Sequence, residues 1–316
     1  MTADDPNMTK PAVVPALQLD HVSRWYGNVV AVNDVSFALG PGVTGLLGPN
    51  GAGKSTLLHM MAGLLRPSAG QVLIRGRSAW RDPAIYRDIG LVPEKEAVHP
   101  YLSGYEFALL NAQLQGVAEP AAAAVRAIET VDLVDSAHRP TGTYSKGMRQ
   151  RAKIAGALVH DPTVLLLDEP FNGMDPRQRL HMMDLLRAMA AAGRTILFSS
   201  HILEEVERLA DSILVVHAGR LAAAGDYRSI RRLMTDRPHT FTVRSSDDRR
   251  LAVALIADPA VFGAELRAGR LSVSTSDYAA FTHVLPRLAA ASGISLHEVA
   301  PTNDSLESVF SYLVSR

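Results

Sequence analysis

Residues Gly48-Pro49-Asn50-Gly51-Ala52-Gly53-Lys54-Ser55-Thr56 place glycine, four residues and then Gly-Lys-Ser-Thr at a spacing that suits one task, wrapping backbone around a phosphate. Gly51 and Gly53 have no Cβ, so successive N–H groups can turn toward one anion. Lys54 supplies a mobile cation for the outer phosphates, and the Ser55 hydroxyl suits magnesium, a hard cation that takes oxygen ligands. Much later, Val164-Leu165-Leu166-Leu167 runs into Asp168 and Glu169. An apolar strand ending in two carboxylates delivers them to the carboxyl edge of a sheet, where α/β folds bind ligands. Asp168 is suited to hold magnesium, directly or through water, and Glu169 to accept a proton from an attacking water. A third segment, Tyr144-Ser145-Lys146-Gly147-Met148-Arg149-Gln150-Arg151, sets a serine and a glycine at the start of a basic helix, a second place for an anion.

These groups need elements that aim them. Val43, Leu46 and Leu47 predict a strand before the glycine loop, and Leu57, Leu58, Met61, Leu64 and Leu65 predict one helical face after it. That order sets a helix N-terminus, with its free N–H groups and partial positive charge, against the phosphates. Ahead of the loop, Leu17 to Val22, Val29 to Val32 and Asp34 to Leu39 predict short strands of an antiparallel sheet, joined later by Gln71 to Ile74. Pro100 to Leu158 reads as mostly helical. Strands at Val164 to Leu167, Thr195 to Ser199 and Ser212 to Val216, with a helix at Arg177 to Ala191, predict a parallel sheet with crossovers.

The core is expected to end around Ala222 to Arg237. Beyond it, strand Thr240 to Arg244, helix Arg249 to Ile256, strands near Ala264 to Leu266 and Leu271 to Ser274, helix Tyr278 to Ala291 and strand Ser295 to Val299 give a βαββαβ order, the ferredoxin-like arrangement. A last helix, Asp304 to Val314, has Asp304 and Glu307 spaced as a capping box. Met1 to Pro15 is polar and proline-rich, and is expected to be a flexible tail.

The bulk composition narrows the partners. Lys plus Arg equals Asp plus Glu at 32 each, so no basic field argues for nucleic acid. There is no cysteine, which excludes disulfides and thiol chemistry. The 11 histidines include no pair at helical metal-ligand spacing, which argues against a protein-built zinc site. No apolar run approaches the ~20 residues of a spanning helix, and the acidic start at Asp4 and Asp5 is not a signal peptide. A cytosolic protein that meets a membrane through a partner is the expectation.

The order of these motifs resembles ATP-binding subunits of ABC transporters, over Leu17 to about Tyr227. The family signature is Leu-Ser-Gly-Gly-Gln. This chain keeps Ser145 and Gly147 and has Tyr144, Lys146 and Met148 at the other places. The resemblance implies that Tyr26 stacks on adenine, that Asp175 in Phe171-Asn172-Gly173-Met174-Asp175-Pro176 joins two subunits, and that His201 hydrogen-bonds the γ-phosphate and orients water. At Leu91-Val92-Pro93-Glu94 the family usually has glutamine. Glu94 still offers oxygen to magnesium but adds charge, so altered metal or pH dependence is expected. Lys146 is expected to face solvent.

The implied fold is α/β: a P-loop ATPase core with an antiparallel β subdomain and a helical insertion, plus a small α+β, ferredoxin-like C-terminal domain. The boundaries are 1–15 for the tail, 16–232 for the ATP-binding domain with its insertion about 95–158, and 238–316 for the small domain. The implied activity is ATP hydrolysis with Mg2+, in a homodimer or a heterodimer with a related ATPase subunit. Each ATP then lies between the phosphate loop of one subunit and Ser145, Lys146, Gly147 and Met148 of the other. The implied partner is a separately encoded integral membrane subunit, at the cytoplasmic face of the cell membrane, most like bacterial exporters of the ABC-2 type; nucleic acid is not expected. A nucleotide-dependent switch acting on ribosomes or DNA is the competing reading. A small-molecule kinase is a third, which leaves Ser145 and Gly147 unused.

Overall fold

The computed structural model describes residues 14–95, 98–226, 229–230, 239–267, 270–302 and 306–314. The chain divides into two compact units, one through Ala224 and one from Gly225. In the first, β1 (Leu17–Tyr26) pairs antiparallel with β2 (Val29–Leu39), because Leu17, Leu19 and Val22 bury one side of it. The sequence splits β2 into two short strands. The structure keeps it whole, with Asp34 at φ 54° and its carboxylate 2.7 Å from His21 Nδ1 across the pair. β4 (Ala69–Ile74) pairs with the other side of β1, and β5 (Arg77–Ser78) with β4.

A second sheet carries the chemistry. Its central strand β3 (Gly42–Leu47) lies parallel between β8 (Thr195–Ser199) and β9 (Ser212–His217). Beyond β8 come β7 (Val164–Asp168) and β6 (Ile89–Val92), and beyond β9 comes β10 (Arg220–Gly225). Continuous burial of β7 and β8 fits parallel strands covered on both faces. β6 and β10 are additions to the expected strands. The helix after the glycine loop, α1 (Lys54–Met61), is shorter than the apolar pattern predicts: Gly63 at φ 70° ends the run, and Leu64 is 58% exposed.

Between β6 and β7 stand α2 (Gly104–Leu114), α3 (Pro120–Thr130) and α4 (Lys146–Leu158). Ser103 and Glu106 start α2 with reciprocal capping hydrogen bonds. α4 passes so close to α2 that a Cβ on Gly156 would sit 2.7 Å from the Phe107 ring. After β7, α5 (Pro176–Ala191) crosses to β8, and α6 (Leu203–Leu209) leads to β9.

The second unit contains β11 (His239–Ser245), α7 (Asp248–Ile256), β12 (Val261–Arg267), β13 (Arg270–Thr275), α8 (Tyr278–Ala291) and β14 (Leu296–Pro301). Its sheet runs β12-β13-β11-β14, and every neighbouring pair is antiparallel. Phe241 and Val243 of β11 pack with Leu251 and Leu255 of α7 and Phe281 and Leu285 of α8. A last helix, α9 (Leu306–Val314), buries Leu306. The expected tail through Met1 to residue 13, Asp304 of the capping box, and Arg228 to Arg237 apart from Ser229 and Ile230 lie outside the described residues.

Candidate active site

The glycine loop leaves β3 and enters α1 through Gly53, which caps the helix at φ 105° with no side-chain cap. The backbone N–H groups of the first turn are therefore open to an anion rather than engaged by a capping side chain. Two glycines are fixed by contact. A Cβ on Gly48 would lie 2.3 Å from Val216 O, and one on Gly53 would lie 2.5 Å from Ala31 O. Lys54 Nζ donates to Gly48 O (2.7 Å) and Pro49 O (3.2 Å), so the cation crosses the loop that carries it.

Asp168, at the end of β7, joins this loop to the neighbouring strand. Its Oδ2 accepts from Ser55 Oγ (2.9 Å) and its Oδ1 from Ser199 Oγ (2.5 Å). Ser199 also accepts from the Glu169 N–H at 3.0 Å, which helps hold Glu169 at φ 51°, a left-handed conformation that β-carbon residues seldom take. The Glu169 carboxylate, 13% exposed, meets His201 Nδ1 at 2.9 Å, while the histidine ring is 62% exposed. Facing a carboxylate acceptor, Nδ1 is the nitrogen that carries the proton, and Nε2 points away from Glu169.

A cleft of about 280 Å3 is lined by Ala31, Asn50, Gly51, Gly53, Lys54, Ser55, Thr56, Glu94, Asp168 and Glu169. Glu94 thus shares the cleft with the two expected carboxylates. Among the described residues no three His, Cys, Asp or Glu side chains converge on one point. The donors that do meet, a hydroxyl and a carboxylate, are oxygens and few, which fits magnesium: it takes one or two carboxylates and leaves its other positions to water and phosphate oxygens. Tyr26 stands exposed at the end of β1, outside this lining, with the Arg24 guanidinium 4.6 Å from its ring centre. Asp175 caps α5 by accepting from Gln178 N–H at 2.9 Å.

Ser145 caps α4, its Oγ accepting from Met148 N–H at 3.1 Å. Gly147 is packed so closely that a Cβ would lie 2.9 Å from Gly173 O. Lys146 is exposed, as expected, and is also anchored: its ammonium donates to Asn172 Oδ1 at 2.9 Å. Tyr144, one departure from the signature, is a core residue whose hydroxyl donates to Ser136 O at 2.6 Å. Burial raises its phenol pKa above the ordinary 10.0.

Ser199, at the end of β8, and Ser200, just after it, carry no motif in the sequence and yet shape the site. Ser200 Oγ donates to Glu205 Oε2 at 2.6 Å and accepts from Ile202 N–H at 3.0 Å, which shapes the turn after His201. Glu205 is buried beside Arg179 Nε at 3.2 Å, and burial raises its carboxyl pKa above 4.5. Gln150 Nε2 donates to Glu169 O at 3.3 Å.

Residues 32–172 match the ABC transporter family. The linearmycin resistance ATP-binding protein LnrL of Bacillus subtilis is 31% identical over 95% of this chain and 98% of its own length. The daunorubicin resistance ATP-binding protein DrrA3 of Streptomyces coeruleorubidus is 33% identical over 94% of this chain and 95% of its own. A solved ATP-binding subunit of an ABC transporter superposes with TM-score 0.63 at 31% identity, covering 69% of this chain and 92% of that one. The chain belongs to the ATP-binding proteins of ABC transporters, ATPase cassettes that bind and hydrolyse ATP to power a transporter. That membership favours the transporter subunit over the ribosome- or DNA-acting switch.

Proposed function

We propose that this chain powers an exporter through a dimer in which each ATP is held by the glycine loop of one subunit and by Ser145 and Gly147 of the other. The observation that carries the reading is the unbroken chain of contacts Ser55–Asp168–Ser199–Glu169–His201, which ties the phosphate loop, the acidic strand end and the histidine into one unit. Gly51, Gly53 and the first turn of α1 cradle the phosphates. Lys54 turns from its loop carbonyls to the outer phosphates. Glu169 takes a proton from the water that attacks the γ-phosphorus as the bond to the β–γ bridging oxygen breaks, and His201 holds that carboxylate in place. Magnesium, held by Ser55 and Asp168 with Glu94 beside them, supplies neutralising charge on the phosphate oxygens. Asp175 contributes to the subunit junction, and Tyr26 to the adenine side.

A relative named as a Nod factor export ATP-binding protein, from Burkholderia orbicola, supports export, and membership of the transporter family supports a separate membrane subunit at the cytoplasmic face. Among the described residues no helix is long and apolar enough to cross a membrane. A groove of about 270 Å3 lined by Tyr86, Leu91, Pro93, Phe107 and His160 supports contact with that subunit at the edge of the helical insertion. The second unit is read as a ferredoxin-like domain, supported by its strand order, with a regulatory or dimer-stabilising role. Light scattering of Glu169→Gln with and without ATP and magnesium tests the dimer. The expected outcome is an ATP-dependent dimer with turnover lost; a variant that binds ATP and stays monomeric overturns the sandwich.

A further inference from the structure

Lys153 lies on α4 at 6% exposure, and nothing in the reaction as described uses it. Its ammonium donates to three successive carbonyls: Pro93 O at 2.7 Å, Glu94 O at 3.3 Å and Lys95 O at 3.4 Å. These belong to the turn that leaves β6 and brings Glu94 to the cleft. An ammonium out of water needs such acceptors in place of its hydration. A methionine of similar length would fill the space without a charge, so packing alone does not account for lysine here.

The spacing along α4 extends the point. Lys146, Gln150 and Lys153 fall at i, i+4 and i+7, one stripe of a helix. Each donates to a loop that borders the cleft: Lys146 to Asn172, Gln150 to the Glu169 carbonyl, Lys153 to the Glu94 turn. The helix whose first turn carries Ser145 therefore grips the loops of both Glu169 and Glu94 with one face.

We propose that Lys153 is a positioning residue that fastens the Glu94 turn to α4 and so holds Glu94 at its place in the cleft. The inference rests on the reading that Glu94 works at the nucleotide site. It is tested with a double-mutant cycle of Lys153→Met and Glu94→Ala on the full chain, read by ATP turnover, together with hydrogen exchange of the nucleotide-free protein. Lys153→Met is expected to lower turnover about tenfold, as loss of a supporting partner does, and to add nothing in the Glu94→Ala background. Exchange should quicken by about tenfold at the peptide containing Glu94 and stay unchanged in β3 and α1, whereas global loosening would quicken all three. Effects that multiply in the double variant, or unchanged exchange at the Glu94 turn, overturn the proposal. Full activity of Glu94→Ala alone overturns the reading of Glu94 instead, and the exchange result still decides whether Lys153 fastens the turn. Should Lys153→Met not fold, Lys153→Arg enters the same cycle under the same criteria, because it keeps the charge and moves its donors.

Discussion

Two helix starts in the first unit receive phosphate in the proposed reaction, and they are built differently. α1 begins at Gly53 with no side-chain cap, in a cleft that also holds Lys54, Asp168 and Glu169. α4 begins at Ser145, whose Oγ is already committed as acceptor to Met148 N–H and keeps only its O–H to donate. In the proposed reaction the first start would have cation, donors, metal ligand and base within one chain. The second offers one hydroxyl and a close glycine, with its cation Lys146 turned to Asn172. In the proposed arrangement, one subunit contains a whole phosphate site and half of another, which would be the physical reason for a dimer.

The strongest way to break this comparison is to weaken the complete site. Lys54→Ala removes the cation that no neighbour in the cleft replaces, and turnover is expected to fall about 100-fold or more, the usual cost of one charge-stabilising donor. ATPase assay with equilibrium ATP binding checks it; a loss below tenfold would place the phosphates elsewhere. Ser145→Ala tests the half site and should separate two effects. Losing the cap destabilises α4 by about 1 kcal/mol, seen as a lower Tm. Losing the hydroxyl should reduce turnover roughly tenfold, about 1.4 kcal/mol of barrier, while ATP binding to the monomer is unchanged. Equal loss of monomer binding would contradict the division between the two helices.

The complete site was far more legible in the sequence than what supports it. Gly53, Lys54 and Ser55 lie within a few residues, so their spacing alone encodes the loop, and Asp168 follows an apolar run that reads as a buried strand. Ser199, Gln150 and Lys153 act on residues 30, 19 and about 60 positions away, through backbone groups that no local pattern announces. Ile89-Gly90-Leu91-Val92 is too short, and interrupted by glycine, to show a strand period, so β6 emerges only from its pairing with β7. The sequence pattern breaks between the strands Val29 to Val32 and Asp34 to Leu39, yet Asp34 takes a positive φ inside β2 and the strand continues. Leu64 fits the apolar face of α1, but Gly63 turns the chain before it.

The smallest expected effect lies at the far end of α4, and it sharpens the contrast because no phosphate is involved there. His160 Nε2 is 3.0 Å from Ile89 O, which makes Nε2 the protonated nitrogen, and Nδ1 is buried with no partner. Burial accordingly holds its pKa below the ordinary 6.5. Above that value the ring is neutral in folded and unfolded chains alike and stability is complete; as pH falls, the unfolded chain takes the proton first and stability is lost down through the folded pKa. Melting temperatures between about pH 7.5 and about pH 5.5 should therefore decline, and His160→Gln, which keeps a donor for Ile89 O, should decline less while its turnover at neutral pH is retained. An identical decline in both proteins would move the acid sensitivity away from the end of α4, and a lost turnover would show that this end of the helix also serves the site.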